Sequence, residues 1–313
     1  MEQPELLLLS LRKYASKQGI DQLGIAPPVV SPLFLDNHLD WLSKHEHADI
    51  EFLERRPADR YDARRLLPGC ESVIVVGLSY YSPLNSWPEP NIAKVARFSW
   101  GDDYHDVVRR KLETIGGWLD KRVPEHRWKA TVDVSPIAEK AFAVSAGIGW
   151  QGRNTLVITD SLGSYFVIGL VLTTAKLPRD KPLSTSCGDC RKCIDACPTG
   201  ALQAPGFIDI AKCISYQNSL AKSTPPLAFQ YHGWLFGCDD CQRACPHNEG
   251  LAATREPGFV PRPWIPRLTP ERLLTLAEEQ FKRDARGNEL AWWGLDRLKN
   301  TAKRLIAEQE HSI

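Results

Sequence analysis

Eight cysteines fall within 59 consecutive residues, Cys187 to Cys245, and a ninth, Cys70, stands apart. The first four form Cys187-x2-Cys190-x2-Cys193-x3-Cys197-Pro198. That spacing wraps a tight loop around an iron–sulfur cubane, placing three thiolates on one cluster and sending the fourth to a second. The second set is stretched: Cys213, an insertion of 24 residues, then Cys238-x2-Cys241-x3-Cys245-Pro246. The crossover rule predicts two [4Fe–4S] clusters, one on Cys187, Cys190, Cys193 and Cys245, the other on Cys197, Cys213, Cys238 and Cys241. Structural zinc is the rival reading, because C-x2-C pairs also bind zinc, but C-x3-C-P is foreign to zinc sites. Cys70 follows Leu67-Pro68-Gly69 and opens an apolar run, so it reads as a small core residue.

The rest of the composition bounds where such clusters work. The chain has 313 residues, 43% hydrophobic and 25% charged, the profile of a soluble globular protein with room for roughly two domains. Ten Trp, ten Phe and eight Tyr exclude a disordered chain. Lys plus Arg total 39 against 38 for Asp plus Glu, so an anionic partner must meet a local patch instead of a global field. The longest apolar runs, Leu6–Leu9 and Phe166–Leu172, fall short of the ~20 residues of a membrane span. Leu6–Leu9 sits behind Glu2 and Glu5 and lacks the basic leader and cleavage site of a secretory signal. The expectation is a cytoplasmic protein without a membrane, whose thiols stay reduced and ligate metal.

Periodicity supplies the elements that must hold the chemistry. Residues 5–18 read as an amphipathic helix, and Ser72–Gly77 as a buried strand. Asp102 and Asp103 can cap a helix running to Asp120, and Lys129–Val134 alternates like a strand. Pro136 opens a helix through Ala146, and Thr155–Thr159 with Tyr165–Thr173 predict a hairpin. Residues 1–175 therefore form an α+β domain, 176–250 a cluster module entered through a polar linker, and 251–313 a Pro-punctuated helical tail. Two clusters carry single electrons but do no organic chemistry, so the first domain must contain what receives them. No Walker loop is present, and Gly147-Ile148-Gly149-Trp150-Gln151-Gly152 follows a helix, not the strand a dinucleotide loop requires.

Several separate stretches then match one family. They are Val132-Asp133-x2-Pro136-x2-Glu139-Lys140, Ala146–Leu156, Cys213-Ile214-Ser215-Tyr216, Gly233–Gln242 and Arg286–Leu290. Over about residues 5–305 the chain resembles the epoxyqueuosine reductases. The resemblance implies reduction of epoxyqueuosine at the tRNA wobble position to queuosine, the last step of queuosine biosynthesis. It implies cobalamin and two [4Fe–4S] clusters as cofactors, and an external low-potential electron donor. The implied fold is a nitroreductase-like cobalamin-binding domain, a ferredoxin-like two-cluster module and a helical tail. Asp103-Tyr104-His105-Asp106-Val107-Val108 lacks the Gly of the Asp-x-His-x-x-Gly cobalt-ligating motif, which agrees with a corrin carrying no protein nitrogen. Two alternatives remain: a cobalamin-dependent reductive dehalogenase, usually exported and longer, and a non-enzymatic electron-transfer protein, which needs no large first domain.

The resemblance places Asp133 as proton donor. By sequence it ends a strand between Val132 and Val134, where partial burial would raise its pKa, or it caps the helix after Pro136. Arg153 and Asn154, beside a Gly-rich turn, are candidates for a corrin amide or phosphate, or ordinary turn residues. Arg60, within Arg55–Arg65, can meet cofactor or RNA, or form a solvated face. Ser215 and Asp239 lie beside cluster ligands and either face the corrin or satisfy cluster-loop amides. In the tail, Lys282, Arg283, Arg286, Arg297, Lys299, Lys303 and Arg304 interleave with Trp292 and Trp293, a composition suited to tRNA phosphates and bases or to a solvated helix.

Overall fold

The strand that reads most clearly as buried, Ser72–Ser79, is buried at all eight positions and is central to the fold. This computed structural model describes residues 3–83, 93–204, 206–219, 226 and 228–310. In chain order the first half contains α1 (Pro4–Lys17), β1 (Gln22–Ala26), α2 (Pro32–Ser43), β2 (Ser72–Ser79), β3 (Lys94–Val95) and α3 (Tyr104–Asp120). It continues through β4 (Trp128–Thr131), α4 (Glu139–Ser145), β5 (Trp150–Gln151), β6 (Val157–Ile158) and β7 (Phe166–Thr173). The cluster module adds α5 (Lys192–Asp195), β8 (Leu202–Ala204), β9 (Phe207–Ile208), α6 (Ile214–Ser219), β10 (Trp234–Phe236) and α7 (Asp240–Arg243). The tail carries α8 (Pro270–Thr275), α9 (Glu278–Asp284), α10 (Glu289–Trp293) and α11 (Leu295–Glu310).

The main sheet has the order β1-β2-β7-β4, antiparallel throughout. Strand alternation divides β2 between two cores. Ile74, Val76 and Leu78 meet Leu7 and Leu11 of α1 and Val108, Leu112 and Ile115 of α3. Val73 and Val75 meet Ala141 and Phe142 of α4 on the other face. Helices on both faces of an antiparallel sheet make the α+β architecture. Cys70 is buried in the second of these cores, as its small apolar character suggested.

Three local expectations change. The hairpin does not form: β6 pairs with β5, while β7 pairs along its length with β2 and at one end with β4. Only the Thr159–Gly163 bridge remains of it. Between two strands β7 buries apolar surface that a partner of two residues could not cover. The strand near 129–134 stops at Thr131, and Asp133 turns with φ 49°. The following helix starts at Glu139, not Pro136, because the Ala138 N–H is taken by the Arg60 carbonyl at 2.8 Å.

A third core binds the tail to the rest. β3 lies parallel to β10, and Val95 and Trp100 pack with Trp234, Phe236 and the apolar faces of α8 to α11. Asn288 is buried and donates to the carbonyls of Ser99 and Gly101. Upstream of the tail helices, Thr254 bonds to the Ser79 and Tyr81 carbonyls, and the Gly258 carbonyl accepts from Asp102 N–H at 2.6 Å. The loop that launches α3 is thus clamped by residues more than 150 positions away. Among the described residues no helix is long and apolar enough to cross a membrane.

A Cβ at Gly101 would lie 2.3 Å from the Gly258 carbonyl oxygen and 2.6 Å from the Phe259 Cα, both backbone atoms. Gly101→Ala should therefore destabilise the fold by about 1–3 kcal/mol, read as a lower urea midpoint. An unchanged midpoint would mean that this clamp is loose in solution.

Candidate active site and cluster-binding loops

Three elements converge on an open cleft. The turn after β4 presents Asp133, the first turn of α3 presents Tyr104 and His105, and α4 begins with Glu139. The cleft encloses about 760 Å³ of empty space, mouth included, with Tyr80, Phe98 and Lys140 in its walls and Phe166, Val167 and Ile168 along its apolar floor. The Tyr104 hydroxyl donates to Asp133 Oδ2 at 2.5 Å, and the Asp133 N–H donates to Glu139 Oε1 at 2.6 Å. The Tyr104 and His105 rings stack with centroids 4.0 Å apart, and His105 Nε2 stands 4.0 Å from Asp133 Oδ2. Asp103 caps α3 through the His105 N–H and also holds the ring through Nδ1 at 2.8 Å.

Both sequence arguments about Asp133 need correction. Its side chain is 65% exposed and Val134 is 64% exposed, so the expected burial is absent. Nor does it cap α4, whose N-cap is Ala138. Desolvation falls on its neighbours instead. Removal from water pushes half-buried Glu139 up to about 8, with the Asp133 charge adding to the effect. The same cause pushes Glu289, reaching in from α10, up to about 8. Burial disfavours the charged His105 ring, but the Asp103 hydrogen bond and charge outweigh it and raise the pKa.

Arg60 does reach this site. Desolvation lowers its pKa against the pull of Tyr61, Glu139 and Asp133, and its Nη1 is a buried donor with no hydrogen-bond partner. Arg153 and Asn154 go elsewhere. Arg153 donates to the Gly188 carbonyl at 2.6 Å, and both residues line the space around the first cysteine loop. In this structure both residues support that loop.

Four thiols, Cys187, Cys190, Cys193 and Cys245, line one space of about 300 Å³, mouth included. Cys193 also lies near Cys241, so the two sets adjoin. Cys213 and Cys241 stand within repulsive reach of Cys197, and Cys238 within that of Cys241. Among the described residues, no three His, Cys, Asp or Glu side chains close on a point as a single ion requires. Four thiols spread around a cavity suit a cubane. Desolvation raises the Cys193, Cys213, Cys238, Cys241 and Cys245 pKa values, a cost that ligation to positive iron offsets.

Asp239 does not face the cleft. Its buried carboxylate accepts from the Arg97 N–H at 2.9 Å and pairs with the Arg97 guanidinium at 3.4 Å. Arg97, which no sequence signal singled out, also donates to the Tyr165 hydroxyl and the Ser82 carbonyl and lies against the rings of Tyr81, Trp100 and Tyr165. Ser215 is half-buried, and its backbone N–H faces Cys213 Sγ, so it serves the cluster loop. Glu289 lay inside the matching stretch Arg286–Leu290, but only the fold brings α10 to α3.

The basic tail is partly consumed internally. Lys299 bonds to the Leu276 carbonyl, Arg304 to those of Pro226 and Phe229, and Lys282 pairs with Glu278 and Glu279. Arg297 covers the Trp293 ring. Arg283, Arg286 and Lys303 are exposed, as is Trp292 at 77%.

Family comparisons agree with this geometry. Residues 60–134 match the model described as "Epoxyqueuosine reductase QueG, DUF1730", and 186–248 match a 4Fe-4S double cluster binding domain. An epoxyqueuosine reductase from Synechococcus sp. (strain CC9605) is 36% identical over 92% of this chain and 91% of its own. The chain belongs to the epoxyqueuosine reductase family. A Bacillus cereus family member is 35% identical over 94% of this chain and 78% of its own. A family structure solved with an epoxyqueuosine-modified tRNA-Tyr stem loop superposes with a TM-score of 0.90 at 30% identity, covering 97% of this chain and 82% of that one. Another, from Bacillus subtilis, has its catalytic aspartate loop swung out of the active site and superposes with a TM-score of 0.83 at 30% identity, with the same coverage.

Cys245→Ser should remove the cluster built on the Cys187–Cys193 loop and spare its neighbour, read as loss of half the iron and acid-labile sulfide. Damage confined to the cluster holding Cys238 and Cys241 would reverse the assignment. Glu289 yields a pH test. Its folded pKa is raised, so between about pH 4.5 and 8 the folded state holds a proton that the unfolded state has lost, and stability falls as pH rises through that window. Glu289→Gln removes this slope. The melting temperature of the variant should gain on the parent progressively from pH 5 to 8, and a constant difference would place Glu289 in water.

Proposed function

We propose that the chain reduces epoxyqueuosine at the wobble position of tRNA to queuosine, completing queuosine biosynthesis, with cobalamin in the cleft and two [4Fe–4S] clusters beside it. One observation carries the reading. Tyr80 and Ser164, both in the cleft wall, bond to Gln242 Oε1 at 3.3 and 3.1 Å, and Gln242 lies between Cys241 and Cys245. The space for the organic reaction is therefore one hydrogen bond from the cluster loop.

The residues present fit a corrin. The floor Phe166–Ile168 is apolar, and the orphaned Arg60 Nη1 offers a buried donor to a polar side group. Arg60 and Lys140 would hold such groups, and Ser215 would stand at the cluster side. When bound, cobalamin supplies the two-electron reduction, fed by single electrons that the clusters relay from an external low-potential donor.

Opening the epoxide to an alkene consumes two electrons and two protons and releases water. Asp133 gives a proton to the departing oxygen, and the Tyr104 hydroxyl on Oδ2 holds the carboxyl toward the cleft. The solved relative with a mobile catalytic aspartate loop supports this role. In this reading residues 1–175 hold the corrin, 176–250 the clusters, and 251–313 help to grip RNA. With Lys299 and Arg304 engaged internally, phosphate contacts fall to Arg283, Arg286 and Lys303 beside Trp292. A tRNA substrate and cluster-binding thiols favour the cytoplasm as its compartment.

Asp133→Asn keeps the shape but has no transferable acid proton. Turnover of epoxyqueuosine-tRNA should fall about 100- to 10,000-fold, with cobalamin and iron content retained. Near-normal turnover would remove Asp133 from the chemistry, and loss of cobalamin would make it a binding residue.

A further inference from the structure

The Asp133 loop is pinned at both ends and unsupported at its tip. Val132 and Ile137 are buried in separate cores, while Asp133, Val134 and Pro136 between them are exposed. No regular element includes residues 132–138. At the tip, Asp133 adopts φ 49°, a left-handed backbone that is uncommon for a residue with a Cβ, although Asp tolerates it better than most. Two bonds within the cleft hold it there. One comes from the Tyr104 hydroxyl to the side chain, and the other runs from the Asp133 N–H to Glu139 Oε1 at 2.6 Å. The second acts on the backbone and so selects the turn itself. Its acceptor is firmly mounted, because the next turn of α4 buries Ala141, Phe142 and Ala143 against the sheet.

We propose that Glu139 is a positioning residue that keeps the Asp133 loop turned into the cleft by accepting the Asp133 N–H. The functional half of this inference rests on Asp133 being the proton donor; the clamp itself does not. Glu139 touches the loop backbone and not the departing oxygen, so it acts through Asp133. Without the acceptor, the amide is left without its partner inside the cleft and regains one only by turning out to water. The left-handed turn then keeps only the Tyr104 bond to its side chain, and the loop population moves outward. A hydrogen bond to such a group biases a two-state loop by about 10- to 100-fold. Desolvation holds Glu139 neutral through pH 7, so a glutamine side chain reproduces its shape and its acceptor oxygen.

Two variants and two readouts test this on the enzyme loaded with cobalamin and clusters. Glu139→Leu fills most of the space but has no acceptor, and Glu139→Gln keeps one. In Glu139→Leu, amide hydrogen exchange across residues 132–138 should accelerate about 10- to 100-fold while exchange in β2 and β7 stays unchanged. Single-turnover reduction should slow by a similar factor, with the KM for tRNA and the cobalamin content unaltered. Glu139→Gln should recover most of both losses. Unaltered exchange in Glu139→Leu overturns the clamp, as does a Glu139→Gln variant that behaves like Glu139→Leu. Faster exchange with undiminished turnover, in an enzyme that Asp133→Asn inactivates, overturns the claim that the inward loop is the working one. Should Asp133→Asn stay active, the proton-donor reading fails, and the exchange data still decide the clamp.

Discussion

The buried pair of Arg97 and Asp239 ties the redox half of the molecule to its chemical half. Asp239 follows Cys238 directly, so its position sets that of a cluster loop. Arg97 follows β3 and reaches Ser82 after β2 and Tyr165 before β7. Two charges at this depth are tolerable only together, because either one left alone would carry the whole desolvation penalty. That mutual requirement fixes the distance between cluster loop and sheet without any covalent link. Gln242, one turn further along the same loop, can then meet Tyr80 and Ser164 in the cleft wall.

The cleft separates two demands that a single carboxyl cannot meet. In the proposed reaction the proton donor must reach the substrate, and Asp133 stands exposed on a turn. A support must stay fixed, so Glu139 begins a helix that is packed into the core. Exposure leaves the first able to move, and desolvation keeps the second neutral and a dependable acceptor. Tyr104, His105 and Glu289 complete the wall from α3 and α10. They are held there by the Asn288 and Gly258 contacts on the loop before α3. The tail is thus part of the site's scaffold.

What was legible in the sequence shares one property: the information is local. The C-x2-C and C-x3-C-P spacings are set by the span of a loop around a cluster, so the two ligand groups could be written down before any fold was known. The buried run of β2, the Asp103 cap of α3 and the helix α1 follow from near-neighbour periodicity and capping. Asp133 was found through its flanking motif, yet the reason offered for it, burial between two valines, failed. Alternation predicts which face a residue takes while a strand lasts, and this strand ended two residues earlier.

The sequence by itself determined the iron–sulfur chemistry, the α+β class and the family, because spacing, composition and motif survive without coordinates. Only the tertiary structure decided which residues support which. It set Arg153 and Asn154 beside the first cysteine loop, paired Asp239 with Arg97, and engaged Lys299 and Arg304 inside the tail. It also brought Glu139, Arg97 and Glu289 into the site. The physical reason is the same in each case. A charged or polar side chain taken out of water must find a partner, and that partner is chosen by proximity in the fold, up to 190 positions away along the chain in the case of Ser99 and Glu289.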